Sequence, residues 1–88
     1  MCQKVGDFTM IEKLAKKLKL SNETIKKAKE IAKVLEKVDG ITELALASTS
    51  LYIASALCGE RRTQEEIFRA GGSTPTTIRR YLKIWELR

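Results

Sequence analysis

The chain of 88 residues contains no histidine, one proline and two cysteines, and these shortages exclude several classes of function. A Ser-His-Asp or Cys-His nucleophile needs the imidazole that is missing, and the commonest general base is absent with it. Cys2 and Cys58 show no C-x-x-C spacing, so they indicate neither a zinc site nor a disulfide framework. We therefore expect no metal, no cofactor and no enzymatic activity.

Long apolar segments are also scarce. The longest run without charge, residues 44–59, has 16 residues and includes three serines and a threonine. A membrane-spanning helix needs about 20 apolar residues, so this run predicts a buried core helix instead. The first ten residues lack the apolar stretch of a secretory signal, and two unclustered thiols suit a reducing cytosol or nucleus.

The remaining composition is typical of one small, basic globular domain. Apolar residues make up 43% and charged residues 32% of the chain, and Lys plus Arg outnumber Asp plus Glu by 17 to 11. A domain of this size buries roughly 60% of the surface that its unfolded chain exposes. The positive excess lies at both ends of the chain, because residues 41–60 hold only two charges, Glu43 and Glu60.

Apolar residues recur with helical period throughout, and no segment alternates as a strand does. We expect five helices, each begun by a side chain that accepts a hydrogen bond from the backbone. The predicted caps, in chain order, are Thr9 or Asp7, Ser21, Thr42, Thr63 and Thr74. Gly40 is expected to end the second helix, and Gly59 to stop the third, which runs to about Cys58. The fourth is expected to run to Ala70, and Pro75 suits the first position of the fifth.

The third predicted helix is apolar nearly all round, so the other helices should surround it. The expected fold is therefore all-α, with five helices and a buried central third helix. Residues 1–6 are expected to be a disordered or linker segment, and residues 7–88 a single domain. Phe8, Phe68 and Trp85 are expected to lie in the core.

The fifth predicted helix has two different sides. Its apolar side holds Ile78, Tyr81, Leu82 and Trp85, and its opposite side holds Thr76, Arg79, Arg80 and Lys83. A short helix, a Gly-containing turn and a longer helix is the plan of a helix-turn-helix, and such a basic side can contact bases and phosphates in a major groove. From the pattern alone, DNA contact and an ordinary solvated surface both remain open.

A second basic region is formed by lysines on the first two predicted helices. These are Lys13, Lys16, Lys17, Lys19, Lys26, Lys27, Lys29, Lys33 and Lys37. Glutamates are interspersed among them, so pairs such as Glu23–Lys27 and Glu30–Lys33 are expected on the helix surface. A solvated surface is the favoured interpretation of this region, and contact with phosphates is the alternative.

Four segments occur in the order and spacing of a cyclin-like repeat: residues 28–31, 51–54, 62–67 and 77–79. Together they resemble a repeat of the archaeal transcription factor B and eukaryotic transcription factor IIB family, and the last segment looks like that of the second, C-terminal repeat. The resemblance implies a five-helix cyclin-like domain. It also implies a DNA-binding module of a general transcription initiation factor, which reads a promoter element upstream of the TATA box through a helix-turn-helix at residues 63–87.

The same resemblance implies a set of contacts. Thr76 and Arg79 would read bases, and the backbone of the DNA would be contacted by Arg62, Thr63, Thr77, Arg80 and Lys83. The implied partners are double-stranded promoter DNA, the TATA-binding protein and, indirectly, RNA polymerase, with no membrane. The location would be the cytoplasm, on the nucleoid, in an archaeon, or the nucleus in a eukaryote. The alternative function is a cyclin-like protein-interaction module without sequence-specific DNA binding.

Overall fold

A computed structural model describes residues 9–87, and these residues form five α-helices and no strand. The helices are α1 (Thr9–Leu18), α2 (Asn22–Leu35), α3 (Glu43–Leu57), α4 (Gln64–Arg69) and α5 (Pro75–Leu87). The predicted all-α class and the number of helices are confirmed. The expected linker, residues 1–6, lies outside the described residues, as does Phe8.

The centre of the molecule is α3, which contacts each of the other four helices. Its side chains from residue 45 to 51 are all buried, and Leu51 has no exposed surface. Small residues such as Ala47 and Ala54 leave room for neighbouring backbones to approach. The predicted central position of the third helix is confirmed, because only burial on all sides satisfies a helix without a charged face.

Four of the five predicted caps are confirmed. The side chains of Ser21, Thr42 and Thr63 accept hydrogen bonds from the backbone N–H three residues on. Thr74 does the same for α5, with Pro75 as its first residue. Thr9 is itself helical, so it is not the cap of α1, and Asp7 lies outside the described residues.

The predicted end of α2 is wrong by several residues. The helix stops at Leu35, and the N–H groups of Lys37 and Val38 bond to carbonyls only three residues back. This tighter bonding forms two turns in place of a further α-helical turn. Val38, in the second of these turns, packs against the core. Gly40, with φ of +80°, ends the turns and not the helix itself.

Phe68 was expected in the core, and the structure contradicts this: it is 47% exposed. A helix as short as α4 turns only one narrow side toward α3, and Ile67 occupies that side with no exposed surface. Phe68, one residue on, therefore points away from the core. Trp85 is half-buried and packs against the core, as expected.

The surface ion pairs also differ from those expected. Glu23–Lys27 and Glu30–Lys33 do not form, whereas Lys27 pairs with Glu30 at 3.7 Å. A second pair, between Lys29 Nζ and Glu12 Oε2 at 2.6 Å, links α2 to α1. Within residues 9–87, no helix is both long enough and apolar enough to cross a bilayer.

Candidate nucleic-acid interface

Two serines of α3 hold both ends of α4. Ser48 Oγ accepts a hydrogen bond of 2.8 Å from the backbone N–H of Ser73, after α4, and Ser55 Oγ accepts one of 3.2 Å from the N–H of Arg62, before it. The serines lie two helical turns apart, about 10 Å along α3, which matches the length of a six-residue helix. The position of α4 is therefore set by α3 at both ends.

The turn from α4 to α5 fits closely against α3. A Cβ atom at Gly72 would lie 2.7 Å from both Ile67 Cγ2 and Ser48 Oγ, so only glycine fits there. Gly71 has φ of +107°, a conformation that other residues rarely adopt. The adjacent glycines thus serve different purposes, one reversing the chain and the other admitting close contact.

The start of α5 is held by its own threonines. Thr77 N–H donates to Thr74 Oγ1 at 3.4 Å, and the two hydroxyl oxygens are 3.1 Å apart. Thr76 lies between them in sequence and is exposed. The first turn of α5 therefore presents Thr76 to solvent on a fixed backbone.

The two sides of α5 divide as predicted. Ile78 is completely buried, and Tyr81, Leu82 and Trp85 are half-buried against the rest of the molecule. The residues of the opposite side are all exposed: Thr76, Arg79, Arg80 and Lys83. No acidic residue lies between positions 70 and 84, so this row holds three positive charges and no negative one. Its assignment to bases and phosphates stays a prediction.

Arg62 is bonded inside the fold. Its Nε donates to the carbonyl of Leu18 at 3.1 Å, and its Nη1 donates to the carbonyls of Glu60 at 2.9 Å and Arg61 at 3.3 Å. Since Leu18 is the last residue of α1, Arg62 joins the start of α4 to the end of α1. Two of the three nitrogens of this guanidinium thus point to protein carbonyls.

Glu60 makes the matching contact to the start of α2. Its Oε1 accepts hydrogen bonds from Ser21 N at 3.0 Å, Ser21 Oγ at 2.9 Å and Thr24 Oγ1 at 2.5 Å. The hydroxyl of Thr24, the backbone N–H of Ser21 and its hydroxyl together lower the pKa of Glu60 below its usual value. We call Glu60 and Arg62, with their partners Leu18, Ser21 and Thr24, the linker clasp.

Thr63 and Glu66 form a capping box at the start of α4. Thr63 Oγ1 accepts from Glu66 N at 3.1 Å, and Glu66 Oε1 accepts from Thr63 N at 2.9 Å. The bond from the Thr63 backbone lowers the pKa of Glu66. The Thr63 hydroxyl lowers it further, so both donors of Thr63 favour the ionised form of Glu66.

Two open grooves flank α5. The first, of about 350 Å³, lies between the starts of α4 and α5, and the second, of about 410 Å³, lies between the starts of α3 and α5. The first is lined by Tyr52, Arg61, Thr63, Gln64, Glu65 and Pro75. The second includes Thr77 and Arg80 among its lining residues. Of the positions expected to contact phosphates, Thr63, Thr77 and Arg80 therefore line one of these two grooves, whereas Arg62 and Lys83 line neither.

Arg61 was not singled out from the sequence. It is exposed and lines the first groove, while its neighbour Arg62 is turned toward α1. Two adjacent arginines before a helix cap look alike in sequence, so nothing local says which one faces outward. Across residues 9–87, no cluster of three or more His, Cys, Asp or Glu side chains could hold a metal ion.

The arrangement of capped helices about a buried α3 defines an all-α domain of the cyclin-like kind. The model of the family described as "Transcription factor TFIIB repeat" matches residues 3–86. The chain belongs to the transcription factor IIB family. None of the solved structures matches it.

Several curated relatives are similar over most of this chain. The chain is 41% identical to "Transcription initiation factor IIB 1" of Thermoplasma volcanium, over 98% of its own length and 28% of the relative's. It is 45% identical to a transcription initiation factor IIB of Archaeoglobus fulgidus over 78% of its length, and 45% identical to that of Methanopyrus kandleri over 86%. The chain spans about a quarter of the length of these relatives. They are named as initiation factors and not as enzymes, in agreement with the expectation from the sequence.

Proposed function

We propose that the chain is a DNA-binding module of transcription initiation, corresponding to the second cyclin-like repeat of its family. Under this proposal α4 and α5 act as a helix-turn-helix, and α5 reads a promoter element upstream of the TATA box. The observation that carries the proposal is the exposed row Thr76, Arg79, Arg80 and Lys83, which holds three positive charges and no negative one, on a helix whose other side packs against the rest of the molecule.

Thr76 and Arg79 are the proposed base readers. They lie three residues apart in the first turns of α5, so they share one side of the helix where it would enter a major groove. An arginine can donate two hydrogen bonds to the O6 and N7 atoms of guanine, and a threonine methyl can contact thymine. The close fit of Gly72 against α3 supports this role, because it holds the start of α5 in place.

The proposed backbone contacts are Thr63, Thr77, Arg80 and Lys83. All four are at least partly exposed, and they flank the proposed base readers. Arg62 was expected to contact the backbone as well. It would have to do so through Nη2, because its Nε and Nη1 donate to carbonyls of the protein.

The relatives are named as transcription initiation factors, which supports a role on promoter DNA. We propose duplex promoter DNA as the direct partner, the TATA-binding protein as a partner on the same promoter, and RNA polymerase as an indirect one. The relatives named above are archaeal, which favours a place on the nucleoid in the cytoplasm.

A salt titration of binding to two duplexes tests the proposal. One duplex carries a purine-rich element upstream of a TATA box, the other has that element scrambled, and each is tested with and without TATA-binding protein. We expect at least tenfold tighter binding to the intact element, about 1.4 kcal/mol. Equal and steeply salt-dependent binding to both would reduce the role to a general cationic surface.

A protein-interaction module is the second candidate. Two exposed apolar residues favour it: Leu57 at the end of α3 is 64% exposed, and Phe68 on α4 is 47% exposed. Chemical-shift mapping by NMR separates the candidates. Shifts confined to residues 74–83 on addition of duplex favour DNA binding, whereas shifts around Leu57 and Phe68 with a protein partner favour the alternative.

A further inference from the structure

We propose that Arg61, and not Arg62, supplies the cation that contacts a DNA phosphate beside the start of α4. The phosphate would bind in the groove between the starts of α4 and α5, where Tyr52 and Gln64 complete the polar lining. This inference rests on the proposed function and names a contact that the sequence assigned to the neighbouring residue. The ligand is a backbone phosphate of duplex DNA.

Arg62 already uses two of the three nitrogens of its guanidinium within the fold. Its three hydrogen bonds to carbonyls, the nearest at 2.9 Å, point its guanidinium toward the end of α1 and the segment between α3 and α4. Its backbone N–H is bonded as well, to Ser55 Oγ of α3. Turning Arg62 outward would leave these carbonyls without their donor, which opposes a phosphate contact from this position.

Arg61 has surroundings opposite to those of Arg62. It is exposed, and it lines a groove of about 350 Å³, which has room for a phosphate group with its water. Pro75 lines the other side of this groove and directly precedes Thr76, the proposed base reader. A phosphate bound in the groove would therefore belong to the same stretch of duplex that α5 reads.

Charged groups and hydrogen-bond donors line the groove beside Arg61. Arg61 and Glu65 are the charged residues among its lining, and Glu65 Oε1 is paired with Arg69 Nη2 at 3.1 Å. That pair offsets the repulsion that the carboxylate would exert on a phosphate. The Gln64 amide and the Tyr52 hydroxyl can each donate a hydrogen bond to a phosphate oxygen. The groove therefore combines one cation, neutral hydrogen-bond donors and one carboxylate that is already paired with Arg69.

The test measures the salt dependence of binding to the intact-element duplex for single variants. Arg61→Gln should lower the slope of log K against log salt by about 0.9, the value for one phosphate contact, and Arg61→Lys should restore the slope. Arg62→Gln should lower the melting temperature and leave the slope unchanged. Lys33→Gln removes an equal charge from the exposed surface of α2 and is the matched control.

A second measurement does not depend on any variant folding. The side-chain Nε–H signals of the two arginines are followed by NMR before and after the duplex is added. We expect the Arg62 signal to be protected from exchange already in the free protein, because it donates to Leu18, and to change little. The Arg61 signal should gain protection only with DNA.

The outcomes separate this inference from the proposed function. If Arg80→Gln and Lys83→Gln lower the salt slope but Arg61→Gln does not, the proposed function stands and the proposed phosphate contact of Arg61 is wrong. The same holds if Arg62, and not Arg61, gains protection on DNA. If the wild-type protein does not bind duplex DNA at all, both the proposed function and the phosphate contact of Arg61 are wrong.

Discussion

The central helix α3 and the last helix α5 have similar lengths, 15 and 13 residues, and each begins after a threonine cap. Their surroundings are opposite, since ten residues of α3 are buried and only Ile78 is buried in α5. Short-range capping therefore starts both helices alike, and the side chains beyond the cap decide whether the helix becomes the core or a surface. The core helix specifies the position of α4, and α5 carries the charge.

The comparison extends to the polar residues of α3. Ser48 Oγ donates to the carbonyl of Leu44 at 2.8 Å, and Ser55 Oγ donates to that of Tyr52 at 3.0 Å, so neither hydroxyl proton is left unpaired in the core. Their oxygens remain free to accept the N–H groups of Ser73 and Arg62. Two of the three serines that make α3 too polar for a membrane span, Ser48 and Ser55, thus position α4.

The largest effect should come from the core side of the comparison. Leu51→Ala removes a fully buried side chain from the middle of α3 and should lower the free energy of unfolding by about 2–5 kcal/mol. Leu57→Ala, in the same helix but 64% exposed, is the matched control and should change it by less than about 0.5 kcal/mol. Chemical denaturation measures both. Equal losses would mean that α3 is not the core of the fold in solution.

The next effect belongs to the surface of α5. Arg79→Ala should weaken binding to the intact element by about 1–3 kcal/mol and relax the preference at one base pair. It should leave the free energy of unfolding within about 0.5 kcal/mol, because Arg79 is exposed. Lys83→Ala is the control: it should weaken binding to intact and scrambled duplexes alike and lower the salt slope by about one. Identical behaviour of the two variants would remove the base-reading role from Arg79.

A smaller effect tests whether the two caps are equivalent. Thr42→Ala and Thr74→Ala should each lower the free energy of unfolding by about 0.5–2 kcal/mol, because each hydroxyl accepts one N–H in the first turn of its helix. Only Thr74→Ala should also weaken DNA binding, since only α5 presents the proposed base readers. Denaturation and duplex binding on the same samples check this. If Thr42→Ala weakened DNA binding as strongly as Thr74→Ala, the division of roles between α3 and α5 would be wrong.

The smallest effect is a dependence of stability on acid. The pKa values of Glu12, Glu60 and Glu66 are lowered in the folded protein by hydrogen bonds from Lys29, Thr24 and the Thr63 backbone, respectively. A lowered pKa stabilises the fold above the usual carboxyl value near 4.5, and this contribution is lost as pH falls through the lower folded value. Melting temperatures should therefore fall between about pH 5 and pH 3.

Glu60→Gln isolates the linker clasp within that acid dependence. The variant should melt at a lower temperature at pH 7 and lose less stability on acidification than the wild type. Glu23→Gln, an exposed position in the first turn of α2, is the matched control and should keep the wild-type profile. An unchanged profile for Glu60→Gln would show that the three bonds to this carboxylate contribute little in solution.

Local signals were enough to predict much of this fold. The caps at Ser21, Thr42, Thr63 and Thr74 were identified because each bonds to a backbone group only three residues away. The end of α2 was not predicted correctly, because a glycine such as Gly40 can end a series of turns as well as a helix. The exposure of Phe68 was also missed, since periodicity in so short a helix does not say which of two adjacent apolar residues faces the core.

The candidate site divides in the same way. The basic side of α5 follows from the spacing of Thr76, Arg79, Arg80 and Lys83, and the structure leaves all four exposed. The different surroundings of Arg61 and Arg62 did not follow from spacing. Nothing near these residues in sequence distinguishes them, and the difference comes from the end of α1.

The sequence by itself determined that there are five helices, where most of them begin, and which side of α5 is charged, because those features depend on hydrogen bonds and periodicities within one or two turns. Only the tertiary structure decided the linker clasp. Arg62 bonds to a carbonyl 44 residues earlier, and Glu60 bonds to side chains 36 and 39 residues earlier. Such partners meet only after α1, α2 and α3 have packed together, so the packing of those helices chooses which arginine is turned inward and which one faces the groove.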